Sequence, residues 1–155
     1  MKLLEDAGIH VLLVRTSQSR FKAFSLTVRF MLQTLATVKH CIHRNDPQGS
    51  YNSDTMTAFF RTLDAMDSFT NVLGVLIAEH LINNLDSERC APTIRAVVRD
   101  LKNYMSLKQQ ICGQRPLPIG FGGGSYKYDR KVLDYMAADG GDSCVDFWTV
   151  CLCHQ

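Results

Sequence analysis

Short continuous apolar runs alternate along this chain with longer stretches in which apolar residues recur at helical spacing. Residues 9–14, after Gly8, form a continuous apolar run of the kind that builds a buried parallel strand. Over residues 54–68 the period changes: Met56, Phe59, Phe60, Leu63 and Met66 predict a helix with Asp54 as its N-cap. Residues 72–78 are again apolar, bounded by Asn71 and the polar pair Glu79-His80, and predict a second fully buried strand. Pro92 suits the first turn of a second helix, where its missing N–H costs nothing. The stripe Ile94, Val97, Val98, Leu101, Tyr104 and Met105 runs along that helix to an end near Gly113. A short strand entered through prolines follows at 116–121, then the glycine loop Gly122-Gly123-Gly124, and a helix over 129–138 carrying Val132, Leu133, Tyr135 and Met136. After the turn at 139–142, residues 145–150 predict a last strand. The order βαβαβαβ with buried strands predicts a parallel sheet with right-handed crossovers, either an open α/β fold or an arc of a barrel.

One segment breaks the alternation. Phe21, Phe24, Val28, Met31 and Leu32 follow helical spacing while Arg20, Lys22, Ser25 and Arg29 face away, so the segment reads as a basic amphipathic helix. It packs on the sheet, lies on a membrane surface, or is a translated stretch foreign to the fold. No acid occurs between Ala7 and Asn45, where Arg15, Arg20, Lys22, Arg29, Lys39 and Arg44 lie, although the whole chain carries only +2, so the remainder is net acidic.

The 155 residues suit one domain, and a complete eight-stranded β/α barrel takes roughly 250. With 46% hydrophobic and 21% charged residues the chain can bury a core, which excludes wholly disordered and collagen-like classes. Glu5 and Asp6 stand where a signal peptide would put its apolar centre, so the chain as written is expected inside the cell with reduced thiols. Cys144, Cys151, Cys153 and His154 fit no common zinc spacing, and no metal or other cofactor is expected; a small redox or metal protein using these cysteines is the weakest alternative. Gly120, Gly122, Gly123 and Gly124 lack the spacing of a dinucleotide loop, and no basic and aromatic surface supports nucleic-acid binding.

Four stretches jointly resemble the catalytic domain of the fungal 1,3-β-glucanosyltransferases, glycoside hydrolase family seventy-two. They are Leu4-Glu5-Asp6-Ala7-Gly8-Ile9; Ile42-His43-Arg44-Asn45-Asp46-Pro47 with Ser50-Tyr51-Asn52; Asn71-Val72-Leu73-Gly74; and the segment from Ile94 to Tyr104 followed by Arg115-Pro116-Leu117-Pro118-Ile119-Gly120-Phe121. Asp146-Phe147-Trp148 fits the strand that follows in the family. The resemblance covers residues 1–14 and 35–150, leaving 15–34 as an insertion without family counterpart, read here as a translated intron. It implies that residues 1–155 form part of a (β/α)8 barrel, about strands three to six, and that half a barrel is marginally stable or associates with itself through open sheet edges.

The same resemblance implies a chemistry. The family elongates β-1,3-glucan outside the cell, attached to a GPI anchor, by a retaining mechanism that needs two carboxyl groups about 5 Å apart. Its acid/base Glu aligns with His80 and the Asn before it with Glu79. An imidazole can move protons near neutral pH, but strict strand alternation would turn the carboxyl of Glu79, one residue early, the wrong way. Three groove positions of the family align with Val14, Phe121 and Cys153, all substituted, and the nucleophile's strand is expected after Gln155. The expectation is a truncated, catalytically inactive glucanosyltransferase whose partner is a β-1,3-glucan oligosaccharide. A non-catalytic β-glucan-binding or interaction module is the alternative.

Overall fold

The computed structural model describes Lys2, Asp6 and residues 10–14, 41–79, 81–122, 126–138 and 140–149. The basic amphipathic segment expected over residues 15–34 lies outside them. Four strands, β1 (Val11–Val14), β2 (Val72–Glu79), β3 (Ile119–Gly122) and β4 (Phe147–Thr149), form one sheet in the order β1-β2-β3-β4, every neighbouring pair parallel. Helices α1 (Pro47–Ser50) and α2 (Ser53–Met66) precede β2, α3 (Ala91–Cys112) joins β2 to β3, and α4 (Tyr126–Ala137) joins β3 to β4. This is the expected α/β alternation.

The helix stripes do what their spacing requires. Met56, Phe59, Leu63 and Met66 of α2 and Ile94, Val97, Val98, Leu101 and Met105 of α3 are buried against Val75, Ile77, Ile119 and Phe121 of the sheet. The N-cap of α2 is Asn52, not Asp54, because the Asn52 side chain accepts from the Thr55 N–H at 3.0 Å. Asp54 sits inside the first turn, where its charge still favours the helix dipole. Gly113 ends α3 in the left-handed region at φ 72°, its N–H on the Gln109 carbonyl, a conformation that favours glycine.

Three expectations need correction. Leu73 is 55% exposed, so β2 is not buried along its whole length; the register with β1 shifts between Val11 and Leu12, close to it. Ordered strand β3 begins at Ile119, after Pro116 and Pro118, which have no N–H to give a ladder. The β4 strand is not of buried type, since Trp148 is 49% exposed at the sheet edge. Two short pieces had no periodic signal, α1 and a 3-10 helix at Leu85–Cys90, and both are built by polar side chains folding back on the backbone.

Two polar devices tie the last strand in place. The Asp146 carboxylate accepts from the Ile119 N–H at 2.8 Å and from Lys102 Nζ at 2.6 Å, while the Asp146 N–H donates to the Ile119 carbonyl at 2.7 Å. Arg95 of α3 donates to the carbonyls of Tyr135 and Ala138 at the end of α4 and to Ser143 Oγ, with its guanidinium over the Tyr135 ring. A charged donor spread over those carbonyls satisfies groups that the helix end leaves open.

On the face of the sheet away from the helices the packing is different. Gly120 lies between Ile119 and Phe121, both fully buried on the helix side, so alternation puts its missing side chain on the opposite face. A Cβ there would meet ring atoms of Phe147 at 2.4 Å, and one at Gly74 would meet the same ring at 3.0 Å and the Pro118 carbonyl oxygen at 2.8 Å. The Phe147 ring therefore lies over two glycines on two neighbouring strands.

The outer surface of α2 and α3 carries a coupled polar group. Tyr104 stacks on Phe60 with ring centroids 4.2 Å apart, and its hydroxyl donates to the Asp64 carboxylate, which also pairs with Lys108 at 3.2 Å. Burial first, and then the Asp64 carboxylate, raise the Tyr104 hydroxyl above the ordinary tyrosine range; the hydrogen bond to Asp64 raises Lys108. Both groups hold protons more tightly folded than unfolded, so their stabilisation is complete below the unfolded values and declines as pH rises through the folded ones. We expect the melting temperature to fall above about pH 10, and Tyr104→Phe to flatten that fall in melts followed by circular dichroism from pH 8 to 11. An equally steep fall in Tyr104→Phe would contradict the assignment.

Candidate active site

In a parallel α/β sheet the carboxyl ends of the strands all open on one side, and that is where ligand sites form. Here those ends are Val14, Glu79, Gly122 and Thr149. Glu79 pairs in register with Gly122, and Gly122 with Thr149, so one row of backbone crosses three strands at this end. That row carries one carboxyl-bearing residue, Glu79.

The register explains how Glu79 reaches the row. Leu76 pairs with Gly120 and Glu79 with Gly122, so β2 advances three residues while β3 advances two. An irregularity of this kind breaks strict alternation.

The other sequence-based candidates divide. Val14 closes β1 and pairs with Leu76 of β2, three residues before Glu79, so it lies beside the row and not in it. Phe121 is fully buried among the helix-side apolar residues, in register with Trp148. His80 and Cys153 lie outside the described residues, as do Cys151 and His154. Among the described residues no group of His, Cys, Asp and Glu is arranged to hold a metal ion, and no disulfide links the described cysteines Cys41, Cys90, Cys112 and Cys144 to one another. Burial pushes the Cys90 thiol up, which keeps it protonated and a poor nucleophile.

Just beyond β2 the chain is tightly held. Leu81 and Ile82 are buried, and the Ser87 hydroxyl accepts from the N–H groups of Asn83 and Asn84 and donates to the Asn84 carbonyl. Arg44, from the loop before α1, donates from Nε to the Leu81 carbonyl at 2.9 Å. The sequence presents Arg44 only as one cation of the acid-free stretch and one letter of a motif; its partner is 37 residues away, and no local pattern announces such a contact.

Other motif residues turn out to hold the scaffold. Asp46 accepts from the Gly49 N–H to start α1, Asn52 caps α2, and the Tyr51 hydroxyl donates to Asp100 of α3, which also pairs with Arg99 at 2.8 Å. The Asp100 hydrogen bond raises the Tyr51 hydroxyl above its ordinary range.

Fold and site thus define a parallel α/β domain with Glu79 in the backbone row at the carboxyl end of its sheet. The family model for glucanosyltransferases matches residues 1–153, and the chain belongs to that family. The 1,3-beta-glucanosyltransferase GAS5 of Saccharomyces cerevisiae is 28% identical over 96% of this chain and 31% of its own length. The 1,3-beta-glucanosyltransferase gel1 of Aspergillus fumigatus is also 28% identical, over 96% of this chain and 28% of its own. Among solved structures, Saccharomyces cerevisiae Gas2 in complex with laminaritriose and laminaritetraose has the same fold, with a TM-score of 0.70 at 22% identity over 96% of this chain and 29% of that one. The chain therefore spans less than a third of the length of each of these relatives.

Proposed function

We propose that this chain is a piece of a (β/α)8 glucanosyltransferase barrel whose β1–β4 stand for the third to sixth barrel strands. It binds β-1,3-glucan oligosaccharides across the carboxyl ends of those strands and does not itself catalyse transfer. The observation that carries the reading is the row Glu79–Gly122–Thr149, which brings the position next to the family's acid/base to the site end of the sheet.

Retaining transfer needs one carboxyl group to protonate the leaving oxygen and a second to attack the anomeric carbon. His80 occupies the position of the first and Glu79 that of the neighbouring Asn, so the acid/base carboxyl has been exchanged for an imidazole. Val14 and Cys153, aligned with groove positions of the family, point to altered sugar contacts as well, whereas Phe121 belongs to the helix-side core. By the same reading the family's setting, the fungal cell wall, is where the ligand occurs. The outer edges of β1 and β4 are the surfaces through which the 155-residue chain would associate with itself.

Calorimetric titration of the chain with laminaripentaose, with chromatography of the mixture after long incubation, tests the reading. Binding without longer or shorter oligosaccharides is expected. New oligosaccharides would overturn the loss of catalysis, and no heat of binding would overturn the glucan site itself.

A further inference from the structure

We propose that Arg44 is a positioning residue that fixes the exit of β2 just beyond Glu79. The part of this inference that concerns glucan rests on the reading above; the part that concerns the turn does not.

Between Leu76 and Glu79 the regular ladder with β3 is interrupted, so the path of β2 at its end is not dictated by strand pairing alone. What grips the chain next then matters. Leu81 is 5% exposed, and a buried carbonyl requires a donor. Arg44 Nε supplies one at 2.9 Å, two residues beyond Glu79. The arrangement is reciprocal: the Arg44 carbonyl accepts from Arg89 at 3.4 Å and from the buried Cys90 thiol at 3.8 Å, so both ends of Arg44 hold the segment between β2 and α3.

Arg44 is itself well founded. Ile42 is buried, and the His43 N–H donates to Ser50 Oγ at 3.0 Å, whose hydroxyl in turn donates to the Pro47 carbonyl at 2.9 Å. A clamp anchored on both sides transmits position. A guanidinium suits the task because its planar donors are fixed in direction, whereas a lysine ammonium can supply the charge and one donor but not the orientation.

The test compares wild type, R44A, R44K and the surface control R99A by amide hydrogen exchange and by laminaripentaose titration. In R44A, exchange at residues 79–83 is expected to accelerate at least about tenfold, with the buried α3 amides at 97–105 unchanged. R44K is expected to recover part of the protection and R99A to match wild type. Affinity for laminaripentaose is expected to drop about tenfold in R44A and to follow the same order across the variants. Acceleration shared equally by α3, or none at 79–83, would overturn the positioning role; should R44A not fold, R44K against R99A decides it in the same way. If wild type binds no laminaripentaose the glucan reading falls, and the exchange comparison still judges Arg44.

Discussion

Replacing Phe121 with alanine is expected to destabilise the domain by about 3–5 kcal/mol, the usual cost of removing a fully enclosed aromatic ring. Phe121 is 0% exposed and belongs to the core that α3 and α4 share with the sheet, near Val132 and Met136. A loss of that size is a large share of the total stability of a small domain. Urea denaturation followed by fluorescence measures it directly, because the sequence has one tryptophan, Trp148, and that residue is the register partner of Phe121 on β4.

The conservative change is the more informative one. The family resemblance aligns a tyrosine with Phe121, yet Phe121→Tyr would place a hydroxyl among Ile119, Val98 and other buried apolar side chains. An enclosed hydroxyl without a partner costs about 1–3 kcal/mol, and that loss is the expected result. A neutral or stabilising Phe121→Tyr would mean that the hydroxyl finds a polar partner and that the position faces the groove.

The second large effect concerns the other face of the sheet. Gly120→Ala is expected to cost about 1–3 kcal/mol by overpacking, since its Cβ would lie 2.4 Å from the Phe147 ring, too close unless the ring leaves. Removing the ring in advance should remove the conflict. In a Phe147→Ala background, Gly120→Ala is expected to cost little, giving a coupling within the range of about 0.5–3 kcal/mol seen for residues in contact. Gly74→Ala provides the control: its Cβ also meets the Pro118 carbonyl oxygen at 2.8 Å, and that oxygen accepts the Val75 N–H at 2.9 Å. Gly74→Ala should therefore remain costly without Phe147. Equal relief of both glycine variants, measured by chemical denaturation of wild type, the three single and the two double variants, would show that the ring does not rest where the structure has it.

These experiments also separate two kinds of information in the chain. Gly74 and Gly120 entered the argument as letters of family motifs, with no physical task attached. The structure gives them one, since both make room for a single ring from β4. Tyr51, Asn52 and Arg95 are similar cases: one reaches Asp100, one caps α2, and one holds the end of α4. Much of what made the sequence recognisable is scaffold.

The order of strands and helices, the parallel sheet and the buried stripes of α2 and α3 were all legible in the sequence, because burial on one side imposes a period that local pattern reveals. The last strand misled for the same reason: an apolar run resembles a buried strand, but Trp148 lies at a sheet edge, and edge position is a property of the assembled sheet. The site follows this division. That position 80 carries histidine and position 79 a carboxyl group is a statement about sequence, and it decides which proton chemistry is available. Where Glu79 stands depends on a register step in β2, and what steadies the next turn is Arg44, far away along the chain. Period and composition are local quantities that residue types determine by themselves; register shifts and contacts between distant loops exist only once strands have paired and packed, so tertiary structure alone decided them.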